Sequence, residues 1–390
     1  MPRLLHLADV HLGARYRDLG EAAARQRERQ LAAFRRSIDV ALEQRVDAVL
    51  ICGDLFDSNG QPRRSVEKAI AELRRLTDRG VRVVIIPGTH DCYEQGSIYR
   101  VFDLRQLAGL PNGSDLLTVL TPETPDVVFP DLDLVVHGRV SATKSTTRSP
   151  FAGLPATDPR ARWRVAMIHG SLRIPGKVES DDVLFTDAEV AASGLDYLAL
   201  GHWHSYQTGR AGATVWAYSG APEPVALDQD GAGQVALVTL EQRAGGARDV
   251  RVEPLTVGRT GFLKLDLDAA EIRSQDALLE QLRTHADPDL VLDVRLVGMS
   301  APTLEIDTDE VVRALGSAFL KVRLRNLATP SLPEGPAPPA GTIAGLFTIT
   351  LEARVAAAHA AQDFVAEAEA AEVLRLGRLL LDDPTHVTLA

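Results

Sequence analysis

Five short segments rich in histidine, aspartate and glycine constrain this chain more than any other feature of its sequence. Each follows a run of apolar residues, and they are Asp9–His11, Gly53–Asp57, Gly88–Asp91, Ile168–Gly170 and Gly201–His204. Ligand groups in open α/β sheets collect in the loops beyond the carboxyl ends of the strands, so we expect these segments to meet. Imidazoles beside carboxylates are the usual ligands of borderline divalent metals. The pattern therefore predicts a metal centre.

Apolar runs and helical spacings alternate along the first 90 residues. Residues 3–8, 47–52 and 81–86 are predicted strands, and helical patterns lie between them. Strand–helix–strand–helix–strand is typical of a mostly parallel sheet covered by helices. The further predicted strands lie at 133–138, 164–168, 196–200, 214–218, 233–240 and 248–255. The fold class is therefore predicted to be α/β.

The histidine motifs stop after about residue 256, and a second region begins. Its predicted order is β-α-β-β-α-β, with strands at 262–267, 290–297, 303–306 and 319–324 and helices at 269–283 and 308–316. This order predicts a small ferredoxin-like α/β cap. The predicted domains are 1–255, the cap at 256–328, a Pro-rich linker at 329–341 and a helical segment at 342–390.

Composition excludes several classes of protein. No apolar run approaches the roughly 18–20 residues that a membrane span needs. The first acid, Asp9, interrupts the amino-terminal region before a signal peptide could form. Two cysteines are too few for a secreted disulfide framework, so we expect a cytoplasmic protein without a membrane segment. The net charge of −11 argues against a basic nucleic-acid coat protein but not against a nucleic-acid enzyme.

The ligand chemistry suits two divalent ions. Residues i and i+2 of an extended segment face the same side, so Asp9 and His11 can reach one ion together. His202 and His204 can share an ion or diverge toward two. One carboxylate, most plausibly Asp54, would bridge the ions. Two ions about 3.5–4 Å apart can clamp both oxygens of an in-line phosphoryl displacement. Manganese, iron or zinc fits this mixed shell better than calcium.

In order, the five segments resemble the D-x-H, G-D-x-x-D, G-N-H-D/E, H and G-H-x-H pattern of the calcineurin-like metallophosphoesterase superfamily. The opening LLHLADVHLG, the GHWH block and the later YSGAPEP are similar to the SbcD-type DNA-repair exonucleases, with a YhaO-like bacterial branch nearest. The resemblance implies an αββα sandwich, followed by an α/β cap and a C-terminal helical segment.

The resemblance also implies roles for individual residues. The first metal would be held by Asp9, His11, Asp54 and His204, and the second by Asp54, residue 89, His169 and His202. His90 would be the catalytic acid. Asp57 and Asp91 would orient the ligands, or else serve as turn or capping carboxylates. Tyr93, Tyr99 and Arg100 follow the His90 loop closely, so they are candidates for contact with a splayed nucleotide. His6 and His137, inside strands, are expected to be core residues or to support the ligands from behind, and not to bind metal.

One position departs from the family pattern. Thr89 stands where the family has asparagine. A threonine hydroxyl is shorter than an asparagine side chain and a weaker donor to a divalent ion. It would bind directly if the loop moves inward, or through a water. We therefore expect a looser second metal, and severe loss would leave a one-metal or inactive protein.

The resemblance implies a two-metal phosphodiesterase acting on DNA in double-strand break repair, a 3′→5′ exonuclease and also a single-strand endonuclease. Manganese, an SMC-like SbcC-type ATPase partner and a homodimer are implied with it. The segment 342–382 is a candidate for docking that partner through Leu346, Phe347, Leu351 and Val355, unless it packs onto its own domain. Two alternatives stay open: a phosphoesterase for small phosphodiesters, and a metal-weakened adaptor that seats DNA ends on an ATPase.

Overall fold

Two units make up the chain in a computed structural model, Met1–Thr260 and Gly261–Ala390. The described residues are 1–16, 23–140, 143–174, 176–178, 180–226, 230–243, 245–301, 304–331 and 336–382. The strand predicted to end at residue 255 continues to Thr256, and the second unit begins at Gly261.

Short strands and a few helices build the first unit. Its strands are β1 (Arg3–Leu7), β2 (Ala48–Cys52), β3 (Arg82–Ile86), β4 (Leu117–Val119), β5 (Asp126–Phe129), β6 (Leu134–Arg139), β7 (Trp163–His169), β8 (Ser171–Leu172), β9 (Leu184–Phe185), β10 (Tyr197–Gly201), β11 (Gln207–Ala211), β12 (Thr214–Tyr218), β13 (Gln234–Gln242) and β14 (Arg248–Thr256). Its α-helices are α1 (Ala23–Glu43), α2 (Arg63–Thr77), α3 (Ile98–Val101), α4 (Leu104–Leu107) and α5 (Asp187–Ala192).

Among the described strands of this unit, two six-stranded sheets face each other. Their orders are β14-β13-β1-β2-β3-β4 and β11-β12-β10-β7-β6-β5. One core of buried side chains, including Leu50, Ile86, Val165 and Ala199, draws on both sheets and so lies between them. Helices α1 and α2 cover the outer face of the first sheet through residues such as Phe34. This arrangement confirms the predicted α/β fold with a sandwich of two sheets and outer helices.

Parallel pairing sets where the motifs end up. Strands β1, β2 and β3 are parallel neighbours in the first sheet, and β7 and β10 are parallel neighbours in the second. Their carboxyl ends therefore lie together at one edge of each sheet. All five residues of β2 and all seven of β7 are buried, as expected for parallel strands covered on both faces.

The second unit is α/β as predicted, but it is not ferredoxin-like. Its elements are β15 (Gly261–Asp268), α6 (Gln275–Arg283), β16 (Asp287–Val297), β17 (Met299–Ser300), α7 (Thr308–Leu315), β18 (Phe319–Asn326), β19 (Thr329–Pro330), α8 (Ile343–Ala360) and α9 (Phe364–Asp382). Strands β15, β16 and β18 form a parallel sheet in that order, and β17 pairs with β19.

The strand predicted at 303–306 accounts for this difference. Residues 304–306 form no strand, and residue 303 lies outside the described residues. Leu304 and Ile306 pack against the core of the second unit as irregular chain leading into α7. The alternation of apolar side chains correctly indicated one buried face, but it did not require a hydrogen-bonded ladder. The main sheet of the unit therefore has three described strands, which with α6 and α7 follow the order β-α-β-α-β.

The segment predicted as helical forms a pair of helices, α8 and α9. Two of the four side chains predicted to dock a partner face inward: Leu351 is buried, and the ring of Phe347 packs against Gly377 of α9. Leu346 is exposed, together with Ile343 and Ile349. Residues 332–335 of the predicted linker and 383–390 of the helical segment lie outside the described residues. None of the described helices is long and apolar enough to cross a membrane.

Candidate metal centre

Side chains from both sheets of the first unit meet at the carboxyl ends of their parallel strands. Asp9, His11 and His204 form one group whose ligand atoms all lie within 4.8 Å of one another. Asp9, Asp54 and His169 form a second group by the same measure. The two groups share Asp9. Four of the five motifs are thus represented in one cluster, and the fifth, around His90, lies against it.

Backbone pairing between the loops brings the first two motifs together. The amide of Asp9 donates to the carbonyl of Gly53 at 3.2 Å, and the amide of His11 donates to the carbonyl of Asp54 at 2.9 Å. The parallel pairing of β1 and β2 therefore continues beyond the strands into the loops. This continuation holds Asp9 and His11 at a fixed register beside Asp54.

Several residues of the cluster have strained backbones. Asp9, His11, Asp54 and His202 have positive φ angles of 54°, 48°, 50° and 101°. Left-handed conformations are unfavourable for residues that carry a Cβ, and they persist where the surrounding structure enforces them. Four such residues in one cluster are the pattern that ligand-binding sites produce. Here the turn after each strand directs the side chain into the centre.

Glycines allow the two sheets to approach at this edge. A Cβ at Gly201 would lie 1.9 Å from the carbonyl oxygen of Cys52, and a Cβ at Gly53 would lie 2.3 Å from Nδ1 of His169. Any larger residue would push the second sheet away from the first. The same contact lets Nδ1 of His169 donate to the Cys52 carbonyl at 2.9 Å, which fixes the tautomer and turns Nε2 toward Asp54.

The buried imidazoles offer nitrogens that the protein itself does not satisfy. Both ring nitrogens of His11 and Nε2 of His169 are buried without a hydrogen-bond partner among the described residues. Nε2 of His169 lies 3.2 Å from Oδ2 of Asp54, and Nε2 of His11 lies 3.7 Å from the same oxygen. Buried polar atoms are normally paired, and a shared cation would satisfy all three side chains. The residues therefore fit a metal.

The charges at the centre are strongly coupled. Burial disfavours the charged form of His169, but the carboxylates of Asp54 and Asp9 outweigh it and raise the pKa of His169 to about 10. Burial likewise opposes charge on His11, yet Asp57, Asp54 and Asp9 raise its pKa. Burial raises and the two imidazoles lower the pKa of Asp54, with a net decrease. These acids thus create a strongly negative pocket that a proton or a metal cation can neutralise.

The loop that carries Thr89 and His90 is held by two aspartates. The hydroxyl of Thr89 lies 3.4 Å from Oδ2 of Asp54, and the amide of His90 donates to Oδ1 of Asp54 at 2.8 Å. Asp91 is fully buried and accepts hydrogen bonds from the amides of Gly88 and Phe56, at 2.7 and 3.1 Å. The threonine is therefore beside the central carboxylate.

Asp57 lies between the imidazoles of His11 and His90. Its Oδ1 is 3.4 Å from Nδ1 of His11 and 4.0 Å from Nδ1 of His90. Nδ1 of His90 also lies 3.0 Å from the carbonyl oxygen of Asp57. His90 is half exposed. The structure thus places Asp57 where it can orient both rings.

Sequence reasoning missed one residue of the site, Asp181. Nε2 of His202 lies 3.1 and 3.2 Å from the two carboxylate oxygens of Asp181. The hydroxyl of Ser171 donates to the same carboxylate, and the indole of Trp203 donates to that hydroxyl at 2.7 Å. Asp181 precedes β9 and has no histidine or glycine motif around it, so no spacing could have identified it.

The three candidates for substrate contact differ in their surroundings. The hydroxyl of Tyr99 donates to Oδ2 of Asp91 at 2.6 Å, so this ring supports the His90 loop. The guanidinium of Arg100 lies 4.1 Å from the centre of the Tyr93 ring and 3.7 Å from a carboxylate oxygen of Glu123. His6 and His137 are fully buried, as core residues would be.

Comparison with known proteins agrees with this geometry. The family model of the Calcineurin-like phosphoesterase matches residues 2–206, more than half of the chain and the whole of the metal cluster. The chain belongs to this family. The resemblance inferred from the five motifs is therefore confirmed, and this phosphoesterase belongs to a class of enzymes that use divalent metals.

Curated relatives of this phosphoesterase include the DNA double-strand break repair protein Mre11 of Aeropyrum pernix. It is 30% identical over 243 residues, which are 59% of this chain and 55% of the relative. Mre11 of Sulfurisphaera tokodaii is 26% identical over 57% of this chain and 54% of the relative. The uncharacterized metallophosphoesterase YhaO of Bacillus subtilis is 27% identical over 52% and 48%. The chain thus spans about half the length of these relatives.

Proposed function

We propose that this phosphoesterase is a two-metal phosphodiesterase acting on DNA in double-strand break repair. We expect 3′→5′ exonuclease activity and single-strand endonuclease activity. The observation that carries the proposal is the cluster of buried imidazole nitrogens without hydrogen-bond partners around Asp54 and Asp9. The choice of DNA as substrate is supported by the relatives named as double-strand break repair proteins.

Two groups of side chains would hold the ions. We assign Asp9, His11, Asp54 and His204 to the first ion, and Asp54, Thr89, His169 and His202 to the second. Manganese is the ion we expect, with iron or zinc as the other choices for a mixed shell. Bound divalent ions supply the positive charge that neutralises phosphate oxygens and makes a water nucleophilic at neutral pH.

The chain's own residues would orient this chemistry and transfer the proton. With Nδ1 of His90 donating to the Asp57 carbonyl, the protonated ring carries its second proton on Nε2, from which it can pass to the leaving oxygen. Half exposure of the ring leaves it open to substrate. Asp91 and Tyr99 hold the loop so that His90 keeps its position. We therefore propose His90 as the catalytic acid and Asp57 and Asp91 as positioning residues.

Three substrates separate this proposal from its alternatives. Purified protein with added manganese is assayed on 3′-labelled and 5′-labelled duplex DNA, on circular single-stranded DNA and on bis-p-nitrophenyl phosphate. Stepwise cleavage from 3′ ends supports the exonuclease, and cutting of the circle supports the endonuclease. Hydrolysis of the small diester alone would favour a small-molecule phosphoesterase. DNA binding without turnover would favour the adaptor. In that case Thr89, in place of the family's asparagine, would have weakened the second metal site. His90→Gln, with the exposed His285→Gln as control, tests the acid.

We propose that helices α8 and α9 dock a coiled-coil segment of an SMC-like ATPase. Ile343, Leu346 and Ile349 follow a spacing of three along α8, and their side chains are 79%, 60% and 51% exposed. Exposed apolar stripes at helical spacing are the surfaces that partner helices bind. Co-purification with such an ATPase, compared for the parent and Leu346→Glu, tests this. A homodimer and a cytoplasmic location complete the proposal, and the two buried free cysteines suit that location.

A further inference from the structure

A cavity of about 370 Å³ lies at the end of β6, between the loop before β5 and the segment that follows β6, and is not used by the chemistry above. Its lining includes Arg139, Arg148 and Thr146, together with Pro122 and Pro125 from the loop before β5. Cavities of this size are within the range that binds small ligands. Two arginines and a hydroxyl give it the chemistry of an anion site.

Strand register places this cavity at the same edge as the metal ligands. Arg139 ends β6 and pairs with Ile168 of β7, the residue immediately before His169. Neighbouring strands lie about 5 Å apart. The ends of β6 and β7 therefore lie at nearly the same height, with Arg139 on the face of Ile168 and His169 on the face turned toward the first sheet.

Two contacts connect the lining of the cavity with residues near the metal centre. On one side, Thr146 forms a bridge with Val183, and its amide donates to the carbonyl of Asp182 at 2.8 Å. The next residue back is Asp181, which contacts His202. On the other side, the loop with Pro122 and Pro125 carries Glu123, which pairs with Arg100 beyond the His90 loop.

The positive charge of Arg139 is incompletely neutralised. Its Nε is buried without a hydrogen-bond partner among the described residues, and its Nη1 lies 3.9 Å from Oδ1 of Asp126. The two oxygens of Asp126 instead contact His137 and Arg160, each at 2.9 Å. Buried donors normally have acceptors, so an anion in the cavity would complete this site.

The loop opposite supplies further donors. Arg148 is exposed, and its own amide donates to Oγ1 of Thr146 at 3.1 Å. Because Oγ1 is the acceptor in that bond, the hydroxyl hydrogen of Thr146 can donate elsewhere. We propose that this cavity is an anion pocket that holds a second phosphate group of the substrate strand, flanking the phosphodiester at the metal centre.

This inference rests on the proposed action on DNA, so its test does not depend on cleavage. Binding of a 5′-fluorescent single-stranded oligonucleotide is measured by anisotropy in EDTA, over a series of salt concentrations. On a single strand, each phosphate contact contributes about 0.7 to the slope of log K against log salt. We expect Arg148→Gln to weaken binding about tenfold and to reduce that slope by about 0.7. Arg148→Lys should recover most of the slope, because it keeps the charge.

Two further variants make the test specific. Arg139→Gln should act in the same direction as Arg148→Gln, and the exposed Arg148 variant keeps the test valid if Arg139→Gln folds poorly. Arg79→Gln, exposed near the opposite end of β3, should leave both affinity and slope at the parent's values. If Arg148→Gln has the affinity and slope of Arg79→Gln, or if the parent does not bind the oligonucleotide, the pocket is not a phosphate site.

Catalysis then separates this proposal from the proposed function. In an active parent, Arg148→Gln should reduce kcat/KM on DNA at least about fivefold more than on bis-p-nitrophenyl phosphate, which has only one phosphate. Equal losses on both substrates would show that Arg148 acts on the centre itself and would overturn the pocket. A parent that binds through Arg148 but cleaves nothing would support the pocket while contradicting the nuclease.

Discussion

The residues assigned to the first ion and those assigned to the second, called here the first and second sides of the metal cluster, are held in place differently. On the first side, Asp9 and His11 are almost completely buried and are held by backbone hydrogen bonds to Gly53 and Asp54. On the second side, Thr89 offers a hydroxyl where the family has an amide, and the ring of His202 is held by Asp181. The first side is thus fixed by paired backbone, and the second by side-chain contacts. We expect the second ion to be the weaker and more adjustable one.

Asp54 joins the two sides, so its replacement should have the largest effect. Its Oδ2 lies 3.7 Å from His11 and 3.2 Å from His169. Asp54→Asn removes the only negative charge assigned to both ions, and we expect kcat on bis-p-nitrophenyl phosphate to fall about 10³-fold. Metal analysis should show loss of bound manganese. The exposed Asp78→Asn is the control. More than a tenth of parental activity in Asp54→Asn would mean that the sides are independent.

Asp181 should matter to the second side alone. Asp181→Asn weakens the contact that orients His202, and such outer contacts change metal affinity or activity by about 10–100-fold. A manganese titration should therefore show a weaker second binding event and an unchanged first one. Asp182→Asn, the adjacent acid, is the matched control. Equal weakening of both events would erase the distinction between the two sides.

Substitution of Thr89 tests the same difference between the two sides by strengthening the binding of the second ion. Thr89→Asn restores the amide oxygen of the family pattern, and we expect the second ion to bind about tenfold more tightly, a change of about 1.4 kcal/mol. Thr89→Val, which removes the hydroxyl at nearly constant size, should bind it more weakly than the parent. An inactive parent that Thr89→Asn makes active would show that the natural site has lost catalysis.

His6 provides the contrast of a buried histidine outside the cluster. Burial lowers the pKa of His6 to about 3, whereas the acids raise the pKa of His169 to about 10. Between pH 6.5 and 3 the unfolded chain binds the proton at His6 and the folded chain does not. The stability contributed by neutral His6 is therefore lost as the pH falls below 6.5, at about 1.4 kcal/mol per pH unit.

Tryptophan fluorescence during urea unfolding measures this effect in the first unit, which contains His6, because all three tryptophans lie before residue 217. Between pH 6.5 and 5.5 in EDTA, His6→Gln should lose about 1 kcal/mol less stability than the parent. His285→Gln, an exposed histidine in the second unit, should behave like the parent. Identical pH slopes for the parent and His6→Gln would contradict the assignment of a neutral His6.

The periodicity of apolar residues predicted the strands and helices whose burial is visible in the local sequence. The first strands and helices were correct because buried parallel strands and amphipathic helices leave clear periodicities. The prediction of a strand at 303–306 was wrong, because Leu304 and Ile306 pack as irregular chain. Alternating apolar residues indicate a buried face and do not by themselves indicate strand pairing. Asp181 was missed because its partner, His202, is 21 residues away and no motif marks it.

The sequence by itself determined the family, the metal-binding chemistry and the order of the motifs, because those depend on which side chains follow which strands. Only the tertiary structure decided that Asp54 meets His11 from its own sheet and His169 from the other. It also decided that Asp181 supports His202 and that Arg139 ends beside a cavity. These contacts depend on the packing of two sheets against each other, and residue spacing along one chain contains no measure of that distance.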